Sequence, residues 1–291
     1  MEIQKYYFNK KNTEQIAVAI GNFDGFHLGH EKLINTLSKT KQCTAVMFFD
    51  PHPNSIFNQN HQELMSPLEK INFLKDKVDM VFVVKFDLDF ANLTIGDFID
   101  ELKKLNVNTV VVGSNFRFAN NKSGTIKDLE KHFEVIKVNE ELYGNEVISS
   151  TRLKNCLKNG NLEVYQKLTN TYYSISGIVV DGMKLGATLG FPTANIMTDN
   201  LLPSNGVYLV NIIIDDQKFT GICNIGTRPT INNDNEKKVE VYILNFDNNI
   251  YRKKVKVELV SKIRDEIKFN NLEDLKNQIQ QDVEYVKKLV E

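Results

Sequence analysis

Two of the five histidines in this 291-residue chain, His27 and His30, fall in one short segment, Gly21-Asn22-Phe23-Asp24-Gly25-Phe26-His27-Leu28-Gly29-His30. The apolar run Ile16 to Ile20 leads into it, and a helical spacing of apolar residues follows at once. A loop between a buried strand and a helix lies at the carboxyl end of the strand, where α/β sheets bind ligands. Gly25 and Gly29 leave room for a phosphate to approach the backbone. The helix beyond them presents unpaired N–H groups and the positive end of its dipole. The two imidazoles add donors, so the loop can cradle a nucleotide triphosphate without a Walker-type lysine. An isolated His-x-x-His is more often incidental, because metal-binding helical pairs sit four apart. Here the glycines and the position after a strand favour a site.

The elements that would position this loop are legible in the first half of the chain. Ile16 to Ile20, Thr44 to Phe49, Met80 to Phe86, Thr109 to Val112 and Val135 to Val138 are short, nearly continuous apolar runs, as expected of strands buried on both faces. Between them Leu28 to Ser38, Ser66 to Lys77, Thr94 to Leu105 and Thr125 to Lys131 carry helical spacing. Ser66-Pro67-Leu68-Glu69 has the residues of a capping box with proline at the first helical position. The alternation predicts a parallel, doubly wound sheet. A helical segment from Thr151 to Leu168 joins the halves. Thereafter Tyr173 to Val180, Gly206 to Ile214, Lys218 to Asn224, Val239 to Phe246 and Lys254 to Val260 follow one another across turns, the pattern of an antiparallel barrel or sandwich. Leu272, Leu275, Ile279, Val283, Val286 and Val290 mark a closing amphipathic helix that should pack on it.

Composition narrows the function. With 42% hydrophobic and 25% charged residues the chain can bury cores for two domains. Its 36 basic and 37 acidic residues leave a net charge of -1, which gives no electrostatic reason for a nucleic acid or a membrane surface as partner. The polar start and the short apolar stretches predict neither a signal peptide nor a transmembrane helix. Cys43, Cys156 and Cys223 fit neither a disulfide framework nor a zinc site, which points to packing thiols in a reducing cytoplasm.

The histidine loop resembles the HxGH signature of nucleotidyltransferases in the form GxFDGxHxGH, typical of prokaryotic FAD synthetases. Further matches follow in order. Phe49-Asp50-Pro51-His52-Pro53 resembles a segment that lies beside the flavin, Gly113 to Phe118 resembles G-x-[DN]-F-R-F-G, and Ile148-Ser149-Ser150-Thr151 resembles ISSTxxR. Ala119 follows Phe118 where that family has glycine. Lys154 stands where it has arginine, keeping the charge but not the planar fork, with Arg152 close by to compensate. The second half resembles riboflavin kinases, a six-stranded barrel family. Gly190-Phe191-Pro192-Thr193-Ala194-Asn195 is similar to their G-x-PTAN signature. Pro203 to Tyr208, Asn224 to Thr230, Glu240 to Leu244 and Ile263 to Phe269 match later motifs.

The resemblance therefore implies a bifunctional riboflavin kinase and FMN adenylyltransferase. Residues 1–169 would form a Rossmann-like nucleotidyltransferase domain, and residues 170–291 a kinase β-barrel with its closing helix. His27, His30 and Glu240 would be catalytic. Gly21, Phe23, Asp24, Gly25, Gly29, Asn115, Ser150, Thr151, Arg152 and Lys154 would bind nucleotide in the first domain, and Gly190, Pro192, Thr193 and Asn195 in the second. Asp50, Pro51, His52, Phe116 and Arg264 would contact flavin. The Thr193 hydroxyl and Asn195 amide oxygen are hard ligands suited to Mg²⁺ carried by ATP phosphates. Glu240, on a strand, can take the proton of the riboflavin 5′-hydroxyl. Riboflavin, FMN, FAD and ATP are the expected ligands, ATP as co-substrate with Mg²⁺. No tightly bound prosthetic group is expected, and the chain should be a monomer or weak homo-oligomer. Ala187 replaces an arginine usual in the kinases, with Lys184 near in sequence. That change motivates the alternative of FMN adenylylation alone beside a flavin-binding barrel.

Overall fold

The computed structural model describes residues 2–8, 15–58, 61–182, 185–227 and 237–290. The chain forms two compact units, Met1–Ser150 and Thr151–Glu291.

The first unit is built on β1 (Ile3–Tyr7), β2 (Ile16–Ile20), α1 (Leu28–Leu37), β3 (Cys43–Asp50), α2 (Pro53–Phe57), α3 (Pro67–Leu74), β4 (Met80–Lys85), α4 (Leu88–Ala91), α5 (Ile95–Lys104), β5 (Val107–Gly113), α6 (Ile126–Leu129) and β6 (Glu134–Val138), followed by a hairpin of β7 (Leu142–Tyr143) and β8 (Glu146–Val147). The sheet order is β1-β4-β3-β2-β5-β6, with β2 to β6 parallel and β1 antiparallel at the edge beside β4. Successive residues of β2 face opposite layers, as the period of a strand requires. Ala17 and Ala19 pack with Leu33, Ile34 and Leu37 of α1 and with Ile71 and Leu74 of α3. Val18 and Ile20 pack with Phe98, Ile99 and Leu102 of α5 and Leu129 of α6. Helices thus change faces where the order reverses, between β2 and β5, which is the switch point of a doubly wound sheet. The capping box at Ser66 is formed, its hydroxyl accepting from the Glu69 N–H while the Glu69 carboxylate takes the Ser66 N–H at 2.8 Å. The edge strand β1, Ile-Gln-Lys-Tyr-Tyr, reads as polar in the sequence because it has no fully buried residue; only Ile3 and Tyr6 pack, half-buried, against the two core layers.

The second unit opens with α7 (Ser150–Lys158) and α8 (Leu162–Thr169), two helices where the sequence suggests one. Gly160, at φ 69°, and the Asn161 N-cap separate them. Then come β9 (Tyr173–Val180), α9 (Leu185–Thr188), β10 (Thr193–Met197), β11 (Gly206–Ile214), β12 (Gln217–Thr227), β13 (Lys237–Ile243), β14 (Lys254–Arg264) and α10 (Leu272–Val290). The strands close into an antiparallel six-stranded barrel in the order β10-β13-β12-β11-β14-β9. Its sixth strand, β10, is not among the runs read from the sequence: Thr-Ala-Asn-Ile-Met is five residues long with one buried residue, and Thr193 and Ala194 line a cavity. α10 lies on the barrel wall through Ile279, Val283 and Val286, against Phe191, Val207, Leu209 and Ile222. The ends of its predicted stripe, Leu272 and Val290, remain exposed. Lys184 and the segment Arg228-Pro229-Thr230 lie outside the described residues.

Candidate active sites

In the first unit, the loops after three neighbouring strands converge at the switch point. β2 delivers the glycine-rich loop, β3 delivers Asp50-Pro51-His52, and β5 delivers Asn115 and Phe116. The loop is tightly folded: Gly25 has φ 91°, and Phe23 and Phe26 also take left-handed conformations, at 49° and 39°. Backbone strain of this kind persists where surrounding contacts fix it. Here Phe23 is buried, and Phe26 stacks on Phe73 of α3 with ring centroids 4.0 Å apart. The Asp24 carboxylate accepts the Leu64 N–H at 2.7 Å, while its carbonyl accepts the Ser150 hydroxyl at 2.7 Å.

His27 caps α1 with its backbone and stacks on His30, the ring centroids 3.7 Å apart. Gly29 makes this possible, since a Cβ there would lie 3.1 Å from the His27 ring. Burial pushes the His27 pKa down to about 4, although the nearby Asp24 charge pulls it up. His30 is also held well below its ordinary value, by burial first and then by the charges of His27 and Lys70. Both Nδ1 atoms are buried with no hydrogen-bond partner. The pair is thus two neutral rings with spare hydrogen-bonding capacity at the N-terminus of a helix, a place suited to phosphate.

Other residues singled out from the sequence are placed as follows. His52 caps α2, accepting the Asn54 N–H, and stacks on His61 at 4.3 Å. Asn115 donates to Glu140 at 2.8 Å, and Phe116 stacks on Phe118. Thr151, Arg152 and Lys154 follow Ser150 in the first turns of α7. Two residues that the motifs do not mark also belong to this region, the ion-paired Lys70 and Glu63. The sequence signal for them is faint: a lysine beside Ile71 on the apolar stripe of α3.

In the second unit, the barrel register lays out a row of residues across five strands. Asn195 of β10 stands opposite Glu240 of β13, Glu240 opposite Asn224 of β12, Asn224 opposite Val207 of β11, and Val207 opposite Arg264 of β14. Val239, Val241 and Ile243 are buried in the barrel, so Glu240 and Tyr242 point outward, toward α10. Thr193, Asn224, Glu240, Tyr242 and Arg264 line a cavity of about 190 Å³, roofed by Leu275, Ile279 and Asp282 of α10. Thr193 also lines a second cavity with Pro192, Ala194 and Tyr251, and it is the residue common to both linings. Gly190, at φ 90°, turns the chain into this segment. Arg264 grips the buried Asp282 through Nε and Nη2, at 3.0 and 2.7 Å. Asn224 and Asp282 are the residues that motif reading undervalues. Their importance lies in strand register and helix docking, which spacing does not display. Ala187 lies exposed on α9.

Cys43, Cys156 and Cys223 are buried cysteines outside any disulfide, and burial followed by the Glu240 charge pushes the Cys223 thiol well up. No helix among the described residues is long and apolar enough to cross a membrane.

The FAD synthetase family matches residues 9–152, and the riboflavin kinase family residues 169–290. A bifunctional riboflavin kinase/FMN adenylyltransferase of Buchnera aphidicola from Schizaphis graminum is 38% identical, over 96% of this chain and 95% of its own. One of the same description from Bacillus subtilis is 35% identical, over 95% and 93%. A solved structure from Streptococcus pneumoniae, titled a macrolide-efflux protein, superposes with a TM-score of 0.87 at 30% identity, covering 96% of this chain and 95% of that one.

Proposed function

The chain belongs to the family of bifunctional riboflavin kinase/FMN adenylyltransferases, and on that premise we propose how its two units divide the work. It is an ATP-dependent transferase that phosphorylates riboflavin to FMN and adenylylates FMN to FAD. The fold shared with the structure titled as an efflux protein does not carry that activity over, because chemistry follows site residues rather than architecture.

The kinase reaction belongs to the barrel. The riboflavin 5′-hydroxyl attacks the γ-phosphorus of ATP, Glu240 takes its proton, and the bond to the bridging β-oxygen breaks to release ADP. The flavin lies between the barrel wall and α10, and the nucleotide in the second cavity, with Thr193 lining both. Thr193 and Asn195 offer the hydroxyl and amide oxygens that fit Mg²⁺ riding on ATP phosphates. Such an ion keeps few protein ligands, and it would neutralise charge on the transferring group. Asn224 stands across from Glu240 in the barrel register and lines the same cavity.

Adenylylation belongs to residues 1–169. An FMN phosphate oxygen attacks the α-phosphorus of ATP, and the bond to the bridging oxygen breaks to release pyrophosphate. No proton need be removed from the attacking oxygen, so catalysis is alignment and charge stabilisation. His27, His30 and the first N–H groups of α1 supply donors. Gly21, Phe23, Asp24, Gly25, Gly29 and Asn115 shape the nucleotide site, with Ser150, Thr151, Arg152 and Lys154 toward the leaving phosphates. Asp50, Pro51, His52 and Phe116 face the flavin, as Arg264 does in the barrel. The functional halves are residues 1–169 and 170–291. Three buried cysteines outside any disulfide support a cytoplasmic setting.

The observation that carries the kinase assignment is Glu240 facing the cavity that Thr193 and Asn224 also line. Riboflavin, ATP and Mg²⁺ should yield FMN and then FAD by chromatography. Glu240→Gln should cut FMN formation by about 10²-fold while FMN supplied directly is still adenylylated. A variant that phosphorylates riboflavin normally would remove Glu240 from the mechanism.

A further inference from the structure

The segment after β6 carries the chain to Ser150, the first of the residues proposed to serve the leaving phosphates. Residues 142–147 of this segment, the hairpin of β7 and β8, are all exposed, so burial of their side chains does not fix where the hairpin stands. Polar contacts at its base hold it. The Glu141 carbonyl accepts the Ile148 N–H at 2.8 Å, which closes the hairpin. The Glu141 carboxylate accepts from the ammonium of Lys32 on α1 at 2.7 Å, in an ion pair exposed by about two fifths on each side. Gly29, three residues before Lys32 on the same helix face, lets the two segments approach. A Cβ there would lie 3.9 Å from that of Glu141 and 3.1 Å from the His27 ring. On the other leg of the hairpin, the Ser150 hydroxyl donates to the Asp24 carbonyl at 2.7 Å.

These contacts close a ring that runs from Asp24 in the glycine-rich loop through Ser150, Ile148, Glu141 and Lys32, and back along α1 to His27. A segment tethered at Asp24 alone could pivot about that point, whereas a second tether fixes its orientation. We propose that the Lys32–Glu141 ion pair is this second tether, a pair of positioning residues for adenylylation that sets the spacing between the histidines at the start of α1 and Ser150 at the start of α7. This rests on the adenylyltransferase reading of residues 1–169. Donors at the two places must grip one triphosphate in a single alignment, and a displacement of about 1 Å costs up to about 10²-fold in rate. A partly exposed ion pair adds little to stability, so its loss registers in turnover rather than in melting. A Lys32 that bound phosphate directly would instead compete with Glu141, and removing the carboxylate would then help ATP binding rather than harm turnover.

The test uses the full chain with FMN, ATP and Mg²⁺. Lys32→Met and Glu141→Gln should each lower kcat for FAD formation about tenfold, with KM for ATP little changed and the thermal midpoint within about 2 °C of the wild type. The double variant should be no slower than either single one, because both changes remove the same interaction. Lys32→Arg, which keeps the charge, should retain most of the rate. Riboflavin phosphorylation by the same preparations controls for folding. Where Lys32→Met does not fold, Glu141→Gln carries the test alone. A folded Glu141→Gln variant with the wild-type kcat overturns the proposal, as do losses that add in the double variant. A wild type that makes no FAD from FMN overturns the adenylyltransferase reading beneath it.

Discussion

His27 shows how one residue ties chemistry to stability. Unfolded, its imidazole takes a proton near the ordinary value of 6.5, whereas in the folded unit burial holds it to about 4. Between those pH values the unfolded chain binds more protons, so stability falls as pH drops through the window, and His30 adds to the effect in the same direction. Over the whole window His27 alone is worth about 3 kcal/mol at most. Chemical denaturation at pH 7 and pH 4.5 should show the first unit losing roughly that much, and His27→Asn should remove the His27 share of the difference while that of His30 remains. An unchanged pH dependence in that variant would mean that His27 is solvated in the native state. The type and spacing of the histidines made them visible in the sequence. Their stacking and neutrality were not visible, because both depend on Gly29 admitting the His27 ring and on Phe23 and Phe26 excluding water.

At the scale of elements, the strands and helices with strong periodicity were legible nearly to the residue. β2, β9 and β11 coincide with their predicted runs. What escaped was whatever the tertiary setting decides: β1 as an exposed edge, β10 as a strand whose residues serve a cleft, and the break at Gly160. The kinase cleft depends on such a contact, the bidentate grip of Arg264 on Asp282 that ties β14 to α10. Sequence marked Arg264 as a flavin residue, and the structure gives its guanidinium this partner on α10, eighteen positions along the chain. Asp282→Asn should leave a partly buried guanidinium uncompensated, at a cost of about 3 kcal/mol. Because α10 roofs the cavity, KM for riboflavin should rise about tenfold or more while FMN adenylylation keeps its kinetics. Titration of riboflavin fluorescence and a thermal melt read the two effects separately. A normal riboflavin KM in a destabilised variant would confine the pair to a structural role.

At the scale of the whole molecule, two families of motifs occupy the two ends of one chain, and each reaction draws its proposed donors and base from a single stretch of it. His27 and His30 belong to the compact unit that ends at Ser150, and Glu240 to the one that begins at Thr151. The product of one reaction is the substrate of the other, so the two activities must connect through FMN, whether or not it leaves the enzyme. His30→Ala removes a donor for charge on the transferring phosphates, and the loss in FAD formation should be about 10²-fold, with riboflavin phosphorylation intact. Glu240→Gln should do the reverse. Neither variant alone then makes FAD efficiently from riboflavin, but an equimolar mixture should, because FMN made by the His30→Ala chain can be taken up by the Glu240→Gln chain. The rate should rise with total protein concentration and vanish when a large excess of apoflavodoxin traps FMN in solution. A mixture that stops at about one equivalent of enzyme-bound FMN and makes no FAD, while Glu240→Gln adenylylates added FMN, would show that the FMN formed on the kinase unit is not released.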